Sequence, residues 1–382
     1  MVGINGQYIF TFSIGNQDDF IAENELEAFI MIEEAGNSLP TFQLTFISAS
    51  DTILSLLHED NDLKVSYGKS AENMITSRLA ITRVESNRVG QNRREITVVG
   101  LYSALGFLGN SNLFISDKVS GLEALQTIVK KHFNLKSNID KSLDSQHWVQ
   151  PNITDRAFVN KLWLHSDLDN SFPAVGISSD GTFIVKDVLK ELAEFKNKNP
   201  NYTWRFAPDP NDATRDIMYD GDPVFSFDTS LINNWVGYGR QRLVYNTEGG
   251  TTSFVRQVAE PAISLADQMV TRTGINKRFA ATGIHNNNVH KNYWPAYQKN
   301  VASLAGFSSM KVTISFRNQF YPVRVLDLSM YLEETIEGNS SKSAQYHSGL
   351  YFISKVSRSI SNRTFTTLVQ MTREAPNQIE VV

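Results

Sequence analysis

The sequence contains no cysteine. Disulfide frameworks, thiolate metal sites and cysteine nucleophiles are therefore excluded. A cysteine-free chain suits the cytosol, or an assembly built there and later exposed. The sequence also lacks any run of about 18 consecutive apolar residues, so no transmembrane helix is expected. Its first residues, MVGINGQYIF, carry neither a basic segment nor a long apolar run and are not expected to be a secretion signal. Charge of one sign is missing too: 36 Lys and Arg face 40 Asp and Glu, a net charge of −4. Basic residues form no stripe interleaved with aromatics, so neither sequence-specific nucleic-acid binding nor membrane insertion is expected.

What is present is aromatic. Phe, Tyr and Trp make up 11% of 382 residues, which favours strands and interfaces over disorder. The length allows about two to four domains. Residues 7–102 read as short strands: Tyr8–Ile14, Phe29–Ile32, then LPTFQLTFI, where Phe42, Leu44 and Phe46 alternate with polar residues. Leu63, Val65 and Tyr67 alternate again, and a hairpin over Arg78–Tyr102 closes the set. Such a run suggests a small barrel or sandwich.

Beyond residue 103 the pattern becomes mixed α/β. Ser120 and Glu123 form a capping box before a helix carrying Leu122, Leu125, Ile128 and Val129. NITD starts a second helix, with Asn152 or Thr154 as N-cap and Phe158, Val159, Leu162 and Trp163 facing inward. GISSDGTFIVKD predicts a turn and a strand, Val188–Lys196 a third helix, and residues 200–222 loops. From Phe225 strands return (VFSFD, NWVGYGRQRLVYN), and residues 250–290 have weak periodicity. Trp294, Tyr297, Val301 and Leu304 then mark a helix, with Pro295 in its first turn and Gly306 at its end. MKVTISF, YPVRVLDLSMYL and a hairpin over Gly349–Thr372 finish the chain as strands.

The second strand block repeats the order of the first. FQLTF matches VTISF, LKVSYG matches VRVLDL, and Ile81-Thr-Arg-Val84 matches Ile353-Ser-Lys-Val356, with a turn two residues shorter in the second hairpin. The expected fold is α+β, mainly β: two tube-protein-like β-barrels from an internal duplication, with an inserted mixed α/β domain. The expected boundaries are 1–103 for the first barrel and 104–230 for the α/β domain. The second barrel takes 231–250 and 308–382, interrupted by an insertion at 251–307 that ends in a helix. Three chains with two equivalent barrels each make a ring of six modules, which can face a six-fold object on one side and a three-fold object on the other.

No stretch carries convincing chemistry. Gly68-Lys69-Ser70 has Leu63 where a phosphate loop needs glycine, and GISSDG lacks nucleophile-elbow spacing. His285 and His290 are five apart, a spacing that diverges on a helix. His165 ends the second helix, where solvent or the helix dipole accounts for it. HEDND (His58–Asp62) reads as a solvated turn without a calcium-loop glycine. Asp209, Asp212, Asp216, Asp220 and Asp222 sit among loop formers and are the candidate carboxylates of an alternative, wall-degrading glycan hydrolase. No catalytic, cofactor-binding or metal-ligating residue is assigned, and no cofactor is expected. Trp148 and Trp163 read as core anchors.

WVQPNITDRAFVNKLWLHS (Trp148–Ser166) followed by DGTFIVKD (Asp180–Asp187) resembles the central hub proteins of contractile phage-tail baseplates. These are related to late control proteins and to the base of type VI secretion spikes. The C-terminal order of helix, strand, VRVLDL and final hairpin is also similar. The sequence departs from many relatives at Leu326, where they carry glycine before the aspartate. The resemblance implies a non-enzymatic virion protein, assembled in the host cytoplasm as a homotrimer with a pseudo-hexameric ring. Its implied partners are the tail tube ring above and a trimeric central spike below, separate because this chain stops at Val382. The tape measure protein and the baseplate wedge proteins are further implied neighbours. A phage-like secretion or injection machine could use the same hub. A host-binding module is a third reading, without a receptor surface that the sequence locates.

Overall fold

The computed structural model describes residues 2–4, 8–15, 17–22, 24–50, 52–58, 61–68, 74–194, 202–206, 217–219, 224–227, 240–246, 253–259, 279–285, 292–317, 322–332, 349–361 and 364–373. The first third supplies β1 (Val2–Ile4), β2 (Tyr8–Ile14), β3 (Leu26–Glu34), β4 (Thr41–Ser48), α1 (Thr52–Leu56), β5 (Asp62–Gly68), β6 (Ile75–Arg88) and β7 (Arg94–Tyr102). Next come α2 (Leu105–Gly109), β8 (Ser111–Val119), α3 (Gly121–Val129), β9 (Asn134–Ser137), β10 (Gln146–Thr154), α4 (Asp155–His165), β11 (Pro173–Ile177), β12 (Thr182–Asp187) and α5 (Val188–Glu194). Then follow β13 (Tyr202–Phe206), β14 (Ile217–Tyr219), β15 (Val224–Phe227), β16 (Arg240–Asn246), β17 (Ser253–Ala259) and β18 (Phe279–His285). The chain ends with α6 (Tyr293–Phe307), β19 (Met310–Arg317), β20 (Leu328–Leu332), β21 (Gly349–Ser361) and β22 (Thr364–Arg373).

The fold is mainly β. Alternation in β4 buries Phe42, Leu44 and Phe46 while Thr41 and Gln43 face out, as a period-two strand requires. In the largest sheet the first strands lie in the order β2-β5-β6-β7-β4-β3. A second run reads β13-β20-β21-β22-β19-β15. The two runs join where Lys355–Ser361 of β21 pairs with Glu34–Ala28 of β3. Each run has its own core: Phe12, Leu44, Val65 and Val98 in the first, and Val312, Ile314, Val356 and Val369 in the second. A third core packs α3 and α4 against β11 and β12 through Leu125, Ile128, Phe158, Leu162 and Phe183.

The structure corrects several expectations. Neither strand run closes into a barrel among the described residues. Closure needs the terminal strands of a run to pair, but β2 gives its far edge to β1, and β3 gives its far edge to β21. VRVLDL is not a strand. Leu326 has φ +63, which breaks the extended path, and β20 starts only at Leu328. The expected loop at 200–222 contains β13 and β14, and the weakly periodic 250–290 contains β17 and β18.

The stripe on α6 is also shifted. The buried face is Ala296, Asn300, Ser303 and Phe307, with Trp294, Tyr297, Val301 and Leu304 only partly covered. Small residues let α6 approach α4 closely, and the Asn300 amide donates to the carbonyls of Leu164 (3.1 Å) and Ser166 (2.7 Å). These carbonyls lie at the C-terminal end of α4, where helix geometry leaves acceptors unsatisfied.

Candidate assembly surface

The two hairpins share an irregularity. In β6–β7, Ile81 lies opposite Gly100 and Arg83 opposite Val99, so Thr82 is an extra residue. In β21–β22, Ile353 lies opposite Met371 and Lys355 opposite Gln370, so Ser354 is extra. Both are β-bulges, which bend and twist a strand at a chosen point. The Thr82 hydroxyl donates to the Val99 carbonyl at 3.0 Å, and the Ser354 hydroxyl donates to the Gln370 carbonyl at 3.2 Å. Neighbouring strands follow the same register: Val98 sits between Val84 and Leu44, and Val369 between Val356 and Ile314. By this register the counterpart of LKVSYG is LSMYL, one strand later than the VRVLDL match made from sequence.

The hairpins differ in what they do beyond the bulge. In β21, Gly349–Phe352 pairs with β20 and Lys355–Ser361 pairs with β3. The tip is apolar: Ile360 and Phe365 are buried in the first core, with Phe365 against Phe10 at 5.8 Å. In β6, Ile75–Ala80 pairs with β5, but the same edge from Arg83 to Arg88 has no partner among the described residues. This arm is exposed from Glu85 to Arg94. Its tip is basic, with Arg88, Arg93 and Arg94 around a cleft of about 310 Å³ completed by Ser48, Ala49, Gln91 and Asn92. Arg88 Nε donates to the Gly90 carbonyl at 3.0 Å and Nη2 to the Gln91 carbonyl at 2.8 Å, which fixes the turn.

The junction of the two strand runs is held by a buried polar network. Arg358 on β21 donates through Nη1 to Glu33 Oε1 on β3 at 2.7 Å and through Nη2 to the Val323 carbonyl at 2.5 Å. Ser179, in the turn between β11 and β12, donates to Glu33 Oε1 at 2.6 Å and lies 3.0 Å from the Tyr67 hydroxyl on β5. Burial pushes the Tyr67 phenol above its ordinary range, partly countered by the Arg358 charge. Four chain segments distant in sequence thus meet on one carboxylate. A buried charge persists only when paired and hydrogen-bonded.

The residues singled out from sequence have structural roles. Thr154 is the N-cap of α4, accepting from the Ala157 amide at 3.2 Å, while Asn152 sits just before it with φ +54. Asp155, 1% exposed, accepts from Gln150 (2.8 Å) and Asn112 (2.9 Å) and lies 2.7 Å from His132 Nε2. Burial opposes its charge, but these bonds and the nearby imidazole hold its carboxyl below the usual range. Trp148 and Trp163 are core anchors whose indole N–H groups donate to the Val119 and Pro173 carbonyls.

GISSDG is a tight turn. Gly181 has φ +79, and a Cβ there would meet the Tyr102 hydroxyl at 2.0 Å. Asp180 pairs with Arg324 at 2.5 Å; despite burial, the Ser178 hydroxyl and the Arg324 charge hold its carboxyl low. His165 is not solvent-exposed as expected. It is buried, stacked between the rings of Tyr293 (4.0 Å) and Tyr297 (4.7 Å). Burial raises Tyr293 to about 12. His58 contacts Asn61 at the surface, and His285 ends β18. Lys69, Ser70, Glu59, Asp60, His290, Asp209, Asp212, Asp216, Asp220 and Asp222 lie outside the described residues. Among the described residues, no group of three or more His, Asp or Glu is placed to hold a metal ion. No helix there is long and apolar enough to cross a membrane.

Sequence reasoning missed Glu33, Arg358, His132 and Asn300. Only an acidic and a basic residue at otherwise apolar strand positions marked the first two. With the topology in hand, comparison with solved structures is decisive for the fold. A tail protein from Neisseria meningitidis MC58 aligns with a TM-score of 0.61 at 11% identity, over 96% of this chain and 97% of the other. The 43 kDa tail protein of prophage MuSo2 from Shewanella oneidensis aligns with a TM-score of 0.60 at 9% identity, over 96% and 98%. The fold is that of phage tail proteins. An Escherichia coli component of the type VI secretion system, described as similar to the phage T4 tail proteins gp27 and gp5, aligns with a TM-score of 0.50 at 9% identity, over 97% and 80%. No protein-family model matches this chain, and no curated protein matches it by sequence. The tail-protein likeness agrees with the hub-like resemblance read from NITD and the C-terminal strands.

Proposed function

We propose that this protein is a structural hub of a phage-tail baseplate: a homotrimer whose six modules form a ring between the six-fold tail tube and a three-fold spike. The observation that carries this reading is the matched pair of bulged hairpins within two strand runs of the same neighbour order. It supports an internal duplication, and duplication is what lets a three-chain ring present six equivalent units. The first module takes residues 1–103. The second is drawn around β19–β22 and also takes in β13–β15, which share its sheet. The α/β segment follows the first module as an inserted domain, and 251–307 is a further insertion. The protein works by shape and interface area rather than by a reaction, in the virion after assembly in the host cytoplasm. Tape measure and wedge proteins are further neighbours. The likeness to the type VI component supports the same role in a phage-like secretion or injection machine.

Native mass spectrometry of the purified protein, alone and with its tube protein, tests this. A trimer that binds tube rings supports the hub. A stable monomer that ignores the tube protein, or hydrolysis of cell-wall glycan by the pure chain, overturns it.

A further inference from the structure

Two backbone edges are open among the described residues, and one contact inside the molecule shows how they fit. That contact is the pairing of β21 beyond its bulge with β3. The open counterpart of β21 is β6 beyond its own bulge, Arg83 to Arg88. The counterpart of β3 is β15: β3 pairs with β4 through Met31–Phe42, and β15 pairs with β19 through Phe225–Val312. Phe42 and Val312 hold matching positions, because Leu44 and Ile314, two residues on, face the matching Val98 and Val369. Among the described residues β15 pairs only with β19, so its other edge is open.

We propose that β6 of one copy of this chain adds to β15 of a second copy, antiparallel, repeating between molecules the β21–β3 contact within each. This rests on the ring reading above and gives its intermolecular seam. The internal contact also fixes the register. Ser359 faces Ile30 and Arg358 faces Met31; hence Asn87 faces Val224, Ser86 faces Phe225 and Glu85 faces Ser226 of the neighbour. An exposed strand edge is a template for such pairing. A head-to-tail contact of this kind leaves one β6 and one β15 free at the ends of any open chain of copies. Only ring closure satisfies both.

Charge identifies the occupant as a second copy. Where the internal seam buries Ile360 and Phe365, the β6–β7 tip carries Arg88 and Arg94, with Arg93 beside them. The sequence immediately before Val224 is DGDP, with carboxylates at Asp220 and Asp222. Continuing the antiparallel register past Asn87–Val224 brings the arginine tip toward that acidic stretch. Val224, 64% exposed, is covered by the incoming strand.

The absence of cysteine makes the test direct. Directly opposed residues have Cβ atoms about 4.5–5.5 Å apart, near disulfide reach. The double variant Asn87→Cys with Val224→Cys, mildly oxidised, is run on a non-reducing gel. The internal pair Ser359→Cys with Ile30→Cys is the positive control, and Glu85→Cys with Val224→Cys is the off-register control. The expected result is a shift from one-chain to two- and three-chain bands for Asn87/Val224 only, with the Ser359/Ile30 pair closing within one chain. An assembly seen by native mass that never cross-links, or cross-links equally in the off-register variant, overturns this seam and leaves the ring reading standing. Absence of any assembly in the unmodified protein overturns both.

Discussion

Arg358 and Glu33 form an ion pair in which both side chains are 1% exposed, the guanidinium nitrogen 2.7 Å from the carboxylate oxygen. The pair sits where the two strand runs meet, and Ser179 joins it from the α/β segment. Breaking a buried pair by removing one partner leaves an uncompensated charge, at a cost of about 3–5 kcal/mol. Arg358→Met and Glu33→Gln are each expected to lower the urea midpoint strongly. The double variant is expected to be less destabilised than the sum of the two, because neither charge is then stranded. Additive losses in a double-mutant cycle would show that the pair is not coupled.

Leu326 gives a test with an unusual sign. Its φ of +63 is strained for any residue with a Cβ, by about 1–2 kcal/mol. Its side chain is nevertheless buried in the second core. Replacing it by Ala or Gly loses that packing either way, but only Gly removes the strain. Leu326→Gly is therefore expected to be more stable than Leu326→Ala by about 1 kcal/mol, against the usual order of these residues. Equal midpoints in chemical unfolding, or Ala above Gly, would contradict a left-handed backbone there.

Much of the fold was legible because it is local. The alternation of Phe42, Leu44 and Phe46 and the Ser120–Glu123 capping box depend on near neighbours, and both stand as read. So does the helix opened by NITD, with Thr154 chosen as its cap. VRVLDL failed because a left-handed residue leaves no mark in a period-two pattern unless it is glycine. The aromatic stripe of α6 misled because the closest packing uses Ala296, Asn300 and Ser303, which hydrophobicity does not flag. The Arg358–Glu33 pair was invisible because its partners are 325 positions apart. The acidic loop weighed for hydrolysis falls outside the described residues, so its chemistry rests on sequence alone.

Asn300 is expected to matter more than a surface amide. Its side chain is fully buried and closes two carbonyls at the end of α4. Asn300→Ala leaves those acceptors unsatisfied, which costs about 1–3 kcal/mol for a buried group. Hydrogen exchange is expected to rise in α6 and the last turn of α4, with little change in β2–β5. Uniform loss of protection across the chain would argue for a global rather than local role.

Acid should act through Asp155 and Asp180, whose carboxyls are both held below their ordinary range. A carboxyl depressed in the folded state contributes stability above its unfolded pKa of about 3.9. That contribution is lost as pH falls through the lower, folded value. Stability from these groups is therefore expected to be flat from neutrality to about pH 4 and to fall below it. Asp155→Asn is expected to lower stability at neutral pH and to flatten the fall at acid pH. A fall of unchanged steepness in that variant would remove Asp155 from the account.

The central claim is that two equivalent modules per chain build a closed ring. Native mass spectrometry combined with class averages from electron microscopy tests it most directly. The account predicts a particle of three chain masses with three-fold symmetry and six similar modules around one axis. A monomer that persists at high concentration and in the presence of tube protein would contradict it, as would a particle whose two strand runs per chain occupy unrelated places.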